Sequence, residues 1–269
     1  MHDNPDAAGQ TVREVAEVAG ILWDRGWAES NAGNITADVT GEYIGTPAAS
    51  AKERALPFPR PYGMLAGRSY LVTGTGRRMR DLARDPLAHA TFLRIDDDGA
   101  GCVLFLPDGS APTLAPTSEL ASHLAIHEAL RARGSNERVV LHAHATELVA
   151  LTHHAAFQDE ATLNAMLWGM HPEAVIFLPA GVGLVPYALT GSERLATATV
   201  AAMQRHDVVL WEKHGVVAIG ATPHAALDRI DIVAKSTRIW FLCAGAGFEP
   251  AGLSEAHIAE LRAAFPGRG

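Results

Sequence analysis

Between Val12 and Leu22 the apolar residues recur every three or four positions, with Val12, Val15, Ala19 and Leu22 on one face. Thr11 and Glu14 fit a capping box, so a first helix is predicted to start there and to end at Gly26. Strands are predicted at 35–39 and 70–73, the second running into Gly74-Thr75-Gly76 and a helix over 77–83. Two more, at 91–95 and 102–106, flank the turn-forming run Asp96-Asp97-Asp98-Gly99. Residues 118–132 space Leu120, Leu124, His127 and Leu130 for one helical face. A strand at 139–143, helices at about 146–153 and 159–168, strands at 174–178 and 183–187, and a helix at about 192–205 follow. Strands at 208–211 and 216–219 bracket Glu212-Lys213-His214-Gly215. Thr222-Pro223 opens a helix that runs to about Gly245, and a short last one begins near Ser254.

Residues 41–69, with Pro47, Pro57, Pro59 and Pro61, read as an irregular surface excursion. Helices and strands alternate only in part, and several neighbouring strands are joined by short turns. The pattern therefore predicts an α/β or α+β chain, with a mainly antiparallel central sheet covered by helices in one domain over 1–269.

Composition narrows the function classes. Hydrophobic residues at 48% and charged residues at 19% exclude wholesale disorder. The uncharged stretch 174–192 is broken by Pro179, Gly181, Gly183 and Pro186, which argues against a membrane span. The first ten residues carry two Asp and no apolar core, unlike a signal peptide. Cys102 and Cys243 sit in apolar surroundings and make no disulfide framework, so a cytoplasmic location is expected. A net charge of −8 argues against nucleic acid as partner. With 13 histidines against three lysines, the chemistry tilts towards metal or acid–base work.

His142 and His144 end a strand two residues apart, so both side chains point to one face and can converge on one ion. Alone, that pair reads rather as two polar side chains at the wet end of a strand. His214, at a break between two apolar strands and followed by a glycine that permits a bend, offers a third imidazole. Three neutral imidazoles with an open position form a recurring zinc arrangement. Glu119 follows Pro116-Thr117-Ser118 in the first turn of the 118–132 helix. There it is either a capping carboxylate or, beside a metal, a general base or displaceable ligand. His123 and His127 make a rival set with Glu119, but they share a face with Leu120 and Leu124 and read as packed histidines. Two glycine-bearing loops, 73–77 and 31–34, could receive an anion; neither carries a P-loop or dinucleotide pattern.

Five stretches carry a resemblance over nearly the whole chain: 25–36 (Arg-Gly-Trp-Ala-Glu-Ser-Asn-Ala-Gly-Asn-Ile-Thr), 72–76 (Val-Thr-Gly-Thr-Gly), 115–120 (Ala-Pro-Thr-Ser-Glu-Leu), His142-Ala143-His144, and 211–216 (Trp-Glu-Lys-His-Gly-Val). Together they resemble the class II aldolase/adducin family, in particular its branch acting on L-rhamnulose 1-phosphate. Ala32, where that branch usually has Gly, and Ala121, often Pro there, are small departures. The resemblance implies α/β/α layers around a mainly antiparallel sheet, a homotetramer, and one Zn2+ per chain held by His142, His144 and His214. It implies reversible cleavage of L-rhamnulose 1-phosphate to dihydroxyacetone phosphate and L-lactaldehyde, with Glu119 as the catalytic carboxylate. Glu173 is implied to serve the aldehyde side from a neighbouring subunit. Phosphate binding is implied for Asn31, Gly33, Asn34, Thr75, Gly76, Thr117 and Ser118.

Breaking a carbon–carbon bond beside a ketone leaves electrons that either a lysine Schiff base or a Lewis-acid metal must hold. Lys52 lies in the proline-rich excursion, Lys235 between Asp231 and Arg238 of a helix, and Lys213, next to His214, points to the opposite face if that stretch is extended, so the metal is the better-supported sink. L-Fuculose 1-phosphate cleavage, a ketose-phosphate epimerase or dehydratase, and a non-catalytic adducin-like interaction module remain the alternatives.

Overall fold

The computed structural model describes residues 5–42, 52–106 and 114–266. Its strands are β1 (Asn34–Asp38), β2 (Lys52–Pro57), β3 (Ser69–Thr73), β4 (Ala90–Ile95), β5 (Gly101–Leu106), β6 (Val139–Ala143), β7 (Gly183–Val185), β8 (Val208–Trp211) and β9 (Gly215–Gly220). The helices are α1 (Pro5–Asp24), α2 (Met79–Leu82), α3 (Pro86–His89), α4 (Leu120–Ala132), α5 (Thr146–Leu151), α6 (Glu160–Met170), α7 (Pro172–Phe177), α8 (Glu193–Met203), α9 (Pro223–Gly245) and α10 (Glu255–Ala264). The strands form one sheet in the order β2-β5-β4-β3-β1-β6-β9-β8-β7. Only β7 and β8 run parallel; the other pairs are antiparallel. The expected mainly antiparallel sheet between helix layers is what the chain builds.

Alternation along the central strands decides which side faces which helices. Val139, Leu141 and Ala143 of β6 pack into a core with residues of α1, α5, α6 and α9. Val140, between them, packs with Ile126 and Leu130 of α4 and Leu195 and Met203 of α8 on the opposite face. His142 shares that second face, as do Asn34, Thr36 and Asp38 on β1, whose neighbours Ile35 and Ala37 belong to the first core. A register slip of one residue would turn His142 away from α4 and expose the core residues beside it.

Helix starts follow local chemistry. Ser192, Thr222 and Asp159 accept backbone N–H groups from Leu195, Ala225 and Thr162 at 3.2, 3.1 and 2.8 Å. Four expectations need correction. The capping role fails for Thr11: α1 starts earlier, and the buried Thr11 hydroxyl donates to the Glu42 carboxylate at 2.9 Å. The excursion over 41–69 is not irregular throughout, although 43–51 lies outside the described residues. Within it, β2 pairs with β5 at the sheet edge, where Pro57 costs little because the strand is ending, and Leu65 is buried in a short 3-10 turn. Residues 174–178 are not a strand: 174–177 belong to α7, begun by Pro172 behind His171, and Leu178 follows its end; periodicity cannot separate so short an apolar run from a buried helix turn. The helix predicted over 77–83 shrinks to α2, followed by the separate short α3. Among the described residues no helix is long and apolar enough to cross a membrane.

Candidate metal centre

The adjacent strands β1, β6 and β9 put one rung of the sheet under the site: Asn34 lies opposite His142, and His142 opposite Val217. His144 follows two residues beyond, just past the end of β6, and His214 sits in the tight turn joining β8 to β9. The turn brings the distant histidine home. Ring centroids are 5.1 Å apart for His142 and His144, 4.9 Å for His142 and His214, and 5.1 Å for His144 and His214. One nitrogen from each falls within 4.8 Å of the other two, a spacing suited to a single ion.

Gly215 was expected to supply a bend beside His214, but the left-handed residue in this turn is Lys213, at φ +57°. Glycine is needed for proximity instead: a Cβ there would lie 2.5 Å from the Ala143 carbonyl oxygen and 2.9 Å from His142 Cε1. Trp211 was not foreseen in the site; its ring stacks on His214 at 5.0 Å, lies 4.7 Å from His142, and is anchored by Nε1 donating to Thr199 Oγ1 at 2.8 Å.

The hydrogen bonds set which nitrogens are free. His142 Nδ1 lies 3.0 Å from the Val216 carbonyl oxygen and must donate to it, and His144 Nδ1 lies 2.8 Å from a Glu29 carboxylate oxygen and donates likewise. Each imidazole therefore turns Nε2, the ring nitrogen not used in these bonds, to an ion. Burial, helped by the neighbouring His144, pushes the His142 pKa down to about 3, and burial with His142 nearby pushes His214 to about 4. Three convergent imidazoles fit a divalent ion of the zinc type.

Glu119 was expected inside the first helical turn; it is the residue before α4, with no capping bond from its side chain. That frees the carboxylate. It is buried, with Oε2 3.6 Å from His142 Nε2 and Oε1 3.9 Å from His214 Nε2, and Oε2 accepts a hydrogen bond from Asn34 Nδ2 at 2.8 Å. The rival set does not assemble as a metal group among the described residues. His123 and His127 are fully buried on α4, and the Thr36 hydroxyl sits between them, 2.9 Å from His123 Nδ1 and 2.8 Å from His127 Nε2.

The candidate phosphate loops meet beside this centre. Gly74 bridges to Pro116, Thr75 N donates to the Ala115 carbonyl at 2.8 Å, and Thr117 N to the Thr73 carbonyl at 2.9 Å. Ile35 N donates to Thr73 Oγ1 at 3.1 Å, which ties in the 31–34 loop. Thr75, Gly76, Ser118 and Asn31 are exposed, Gly33 is half-buried, and Thr117 and Asn34 are buried. Glu173 does not join them within the chain. It lies on α7, in the helix layer over the other sheet face, half exposed with its carboxylate 3.0 Å from His171 Nε2. Sequence reasoning passed over Glu29, Thr36 and Trp211; only the carboxylate type of Glu29, beside the loop, could have signalled a role.

The chain matches the description "Class II Aldolase and Adducin N-terminal domain" over residues 13–241. It is 40% identical over 266 residues to the rhamnulose-1-phosphate aldolase of Bacteroides thetaiotaomicron, covering 98% of this chain and 97% of that one. To the rhamnulose-1-phosphate aldolase of Escherichia coli it is 35% identical over 223 residues, 81% of this chain and 79% of the other. A sugar-phosphate aldolase structure from Thermotoga maritima superposes with a TM-score of 0.75 at 30% identity, covering 90% of this chain and 98% of that chain. By sequence and by fold alike, the chain belongs to the class II aldolase and adducin family.

Proposed function

We propose that the protein is a metal-dependent lyase that reversibly cleaves L-rhamnulose 1-phosphate to dihydroxyacetone phosphate and L-lactaldehyde, in the breakdown of L-rhamnose. The observation that carries this reading is the set of three imidazoles whose ligand nitrogens lie within 4.8 Å of one another, with the Glu119 carboxylate 3.6 Å from one of them. His142, His144 and His214 would hold the ion, for which Zn2+ suits the donor set. When bound, the ion supplies a Lewis acid that draws charge from the substrate's ketone oxygen.

The chain's own groups do the rest. As the bond between C3 and C4 breaks, Glu119 delivers the proton that C3 takes up, and in the reverse direction removes it. The C4 hydroxyl must lose its proton to become the aldehyde. Glu173 would take that proton from a second copy of the chain, a role consistent with its exposure on α7; this assignment goes with a homotetramer. The phosphate is assigned to the 73–76 and 115–118 loops, at exposed Thr75, Gly76 and Ser118 and buried Thr117, with Asn31, Gly33 and Asn34 facing them across Thr73.

The test runs the reaction in the direction of synthesis. Zinc-loaded protein incubated with dihydroxyacetone phosphate and L-lactaldehyde is expected to yield L-rhamnulose 1-phosphate, identified by its configuration after dephosphorylation. L-Fuculose 1-phosphate as the main product would move the chain to the other stereochemical branch. No condensation by protein whose zinc content is verified would overturn the aldolase reading.

A further inference from the structure

His142 Nδ1 and His144 Nδ1 each have an acceptor, the Val216 carbonyl at 3.0 Å and the Glu29 carboxylate at 2.8 Å. His214 Nδ1 is buried without a hydrogen-bond partner among the described residues. What His214 has instead is Trp211. The Trp211 carbonyl accepts the His214 backbone N–H at 3.0 Å, closing the turn around the left-handed Lys213. The indole stacks on the imidazole, with ring centroids 5.0 Å apart and planes 28° from parallel. The same indole lies 4.7 Å from His142, so it touches two imidazoles that are themselves 4.9 Å apart. Gly215, opposite Trp211 in the β8–β9 register, adds no side chain to this crowd.

The indole is itself fixed from outside the site. Trp211 is 2% exposed, and its Nε1 donates to Thr199 Oγ1 at 2.8 Å. Thr199, buried on α8, gives its own hydroxyl proton to the Leu195 carbonyl at 2.7 Å, so towards the indole its oxygen can only accept. That polarity selects one orientation of the ring.

We propose that Trp211 is the positioning residue for His214, in place of the hydrogen bond that holds each of the other two histidines, and that Thr199 sets Trp211 from α8. The proposal rests on the reading of His214 as a metal ligand argued above. An imidazole that shares a lone pair with a divalent ion gains positive character, and the negative face of an indole attracts such a ring more than a neutral one. The stack thus favours the metal-bound form of His214 as well as its orientation.

Two readouts follow the metal rather than turnover: zinc affinity, by competition with a chromophoric chelator, and the visible absorption of Co2+-loaded protein, which reports ligand geometry. Trp211→Leu is expected to lower zinc affinity about 10- to 100-fold, the scale of a lost partner behind a ligand, and Trp211→Phe, which keeps a ring face, to recover most of that loss. Thr199→Val, of nearly the same volume, removes the acceptor and is expected to lower zinc affinity about tenfold and to shift the cobalt bands. Thr199→Ser, which keeps the hydroxyl, is expected to restore both. Because it leaves the core filled, Thr199→Val carries the test should Trp211→Leu not fold. A lower Tm in either variant, with zinc affinity and cobalt bands unchanged, would show core packing alone and overturn the proposal. Wild-type protein that binds no zinc would fail the metal reading itself, and the proposal with it. Zinc binding without ketose phosphate formation fails only the aldolase reading, and the variants still judge Trp211.

Discussion

Glu119 lies 3.6 and 3.9 Å from the Nε2 atoms of His142 and His214, beyond hydrogen-bond reach, so the hydrogen bond its carboxylate accepts comes from the Asn34 amide. A neutral donor steadies the carboxylate without neutralising it and leaves Oε1 for chemistry. Glu119→Gln keeps the shape and an acceptor for Asn34 but cannot carry the proton. Cleavage is therefore expected to fall by roughly 10²–10⁴-fold with zinc content near one per chain, read by turnover and elemental analysis on the same sample. A normal rate would remove Glu119 from the reaction. At this scale much was legible, because histidines two apart on a strand and a carboxylate after Pro-Thr-Ser are signals of residue type and spacing. Gly215 was legible as important but for another reason: the strand-to-strand approach it permits involves a carbonyl more than 70 residues away, which no local window contains.

Between β1 and α4 runs a buried polar contact that the helical pattern only half revealed. His123 and His127 were readable as packed histidines from their place beside Leu120 and Leu124. Their partner, Thr36, sits on another strand and was silent. Burial pushes His127 down to about 4 from an ordinary value near 6.5, so it stays neutral in the folded protein. The unfolded chain takes up the proton first. The stability this histidine contributes is thus complete above pH 6.5 and is lost as pH falls towards 4, at about 1.4 kcal/mol per pH unit and roughly 3 kcal/mol in all. Urea unfolding of metal-free protein at pH 7.5, 6.0 and 5.0 should show this slope, shallower by about one proton in His127→Gln. Equal slopes in the two proteins would mean that His127 is protonated in the fold. The elements themselves were mostly readable from periodicity and caps. The exceptions were segments whose apolar runs were too short, as in α7, or whose pairing partner alone makes them a strand, as in β2.

Across the whole molecule, the three-histidine cluster joins β6 to the β8–β9 turn, so an ion bound there would tie together strands that meet only on folding. Removal by a chelator is expected to abolish cleavage and also to lower Tm, with zinc restoring both. At free zinc about a thousandfold above Kd, the linked stabilisation is about 4 kcal/mol. A metal-free protein, verified by elemental analysis, that retains full cleavage would refute the mechanism; an unchanged Tm would place the ion elsewhere.

The amino-acid order by itself determined the layered class, the alternation that buries each strand's two faces, and the chemical types gathered in five short stretches, because periodicity and side-chain chemistry are local properties. It also carried the family resemblance. Only the tertiary structure decided that His214 closes on His142 and His144, that Asn34 turns to Glu119, that Glu29 holds His144, and that Glu173 lies across the sheet from Glu119. Those relations depend on strand register and on contacts between residues far apart in the chain, and a hydrogen bond of 2.8 Å is set by packing, which no spacing along the sequence encodes.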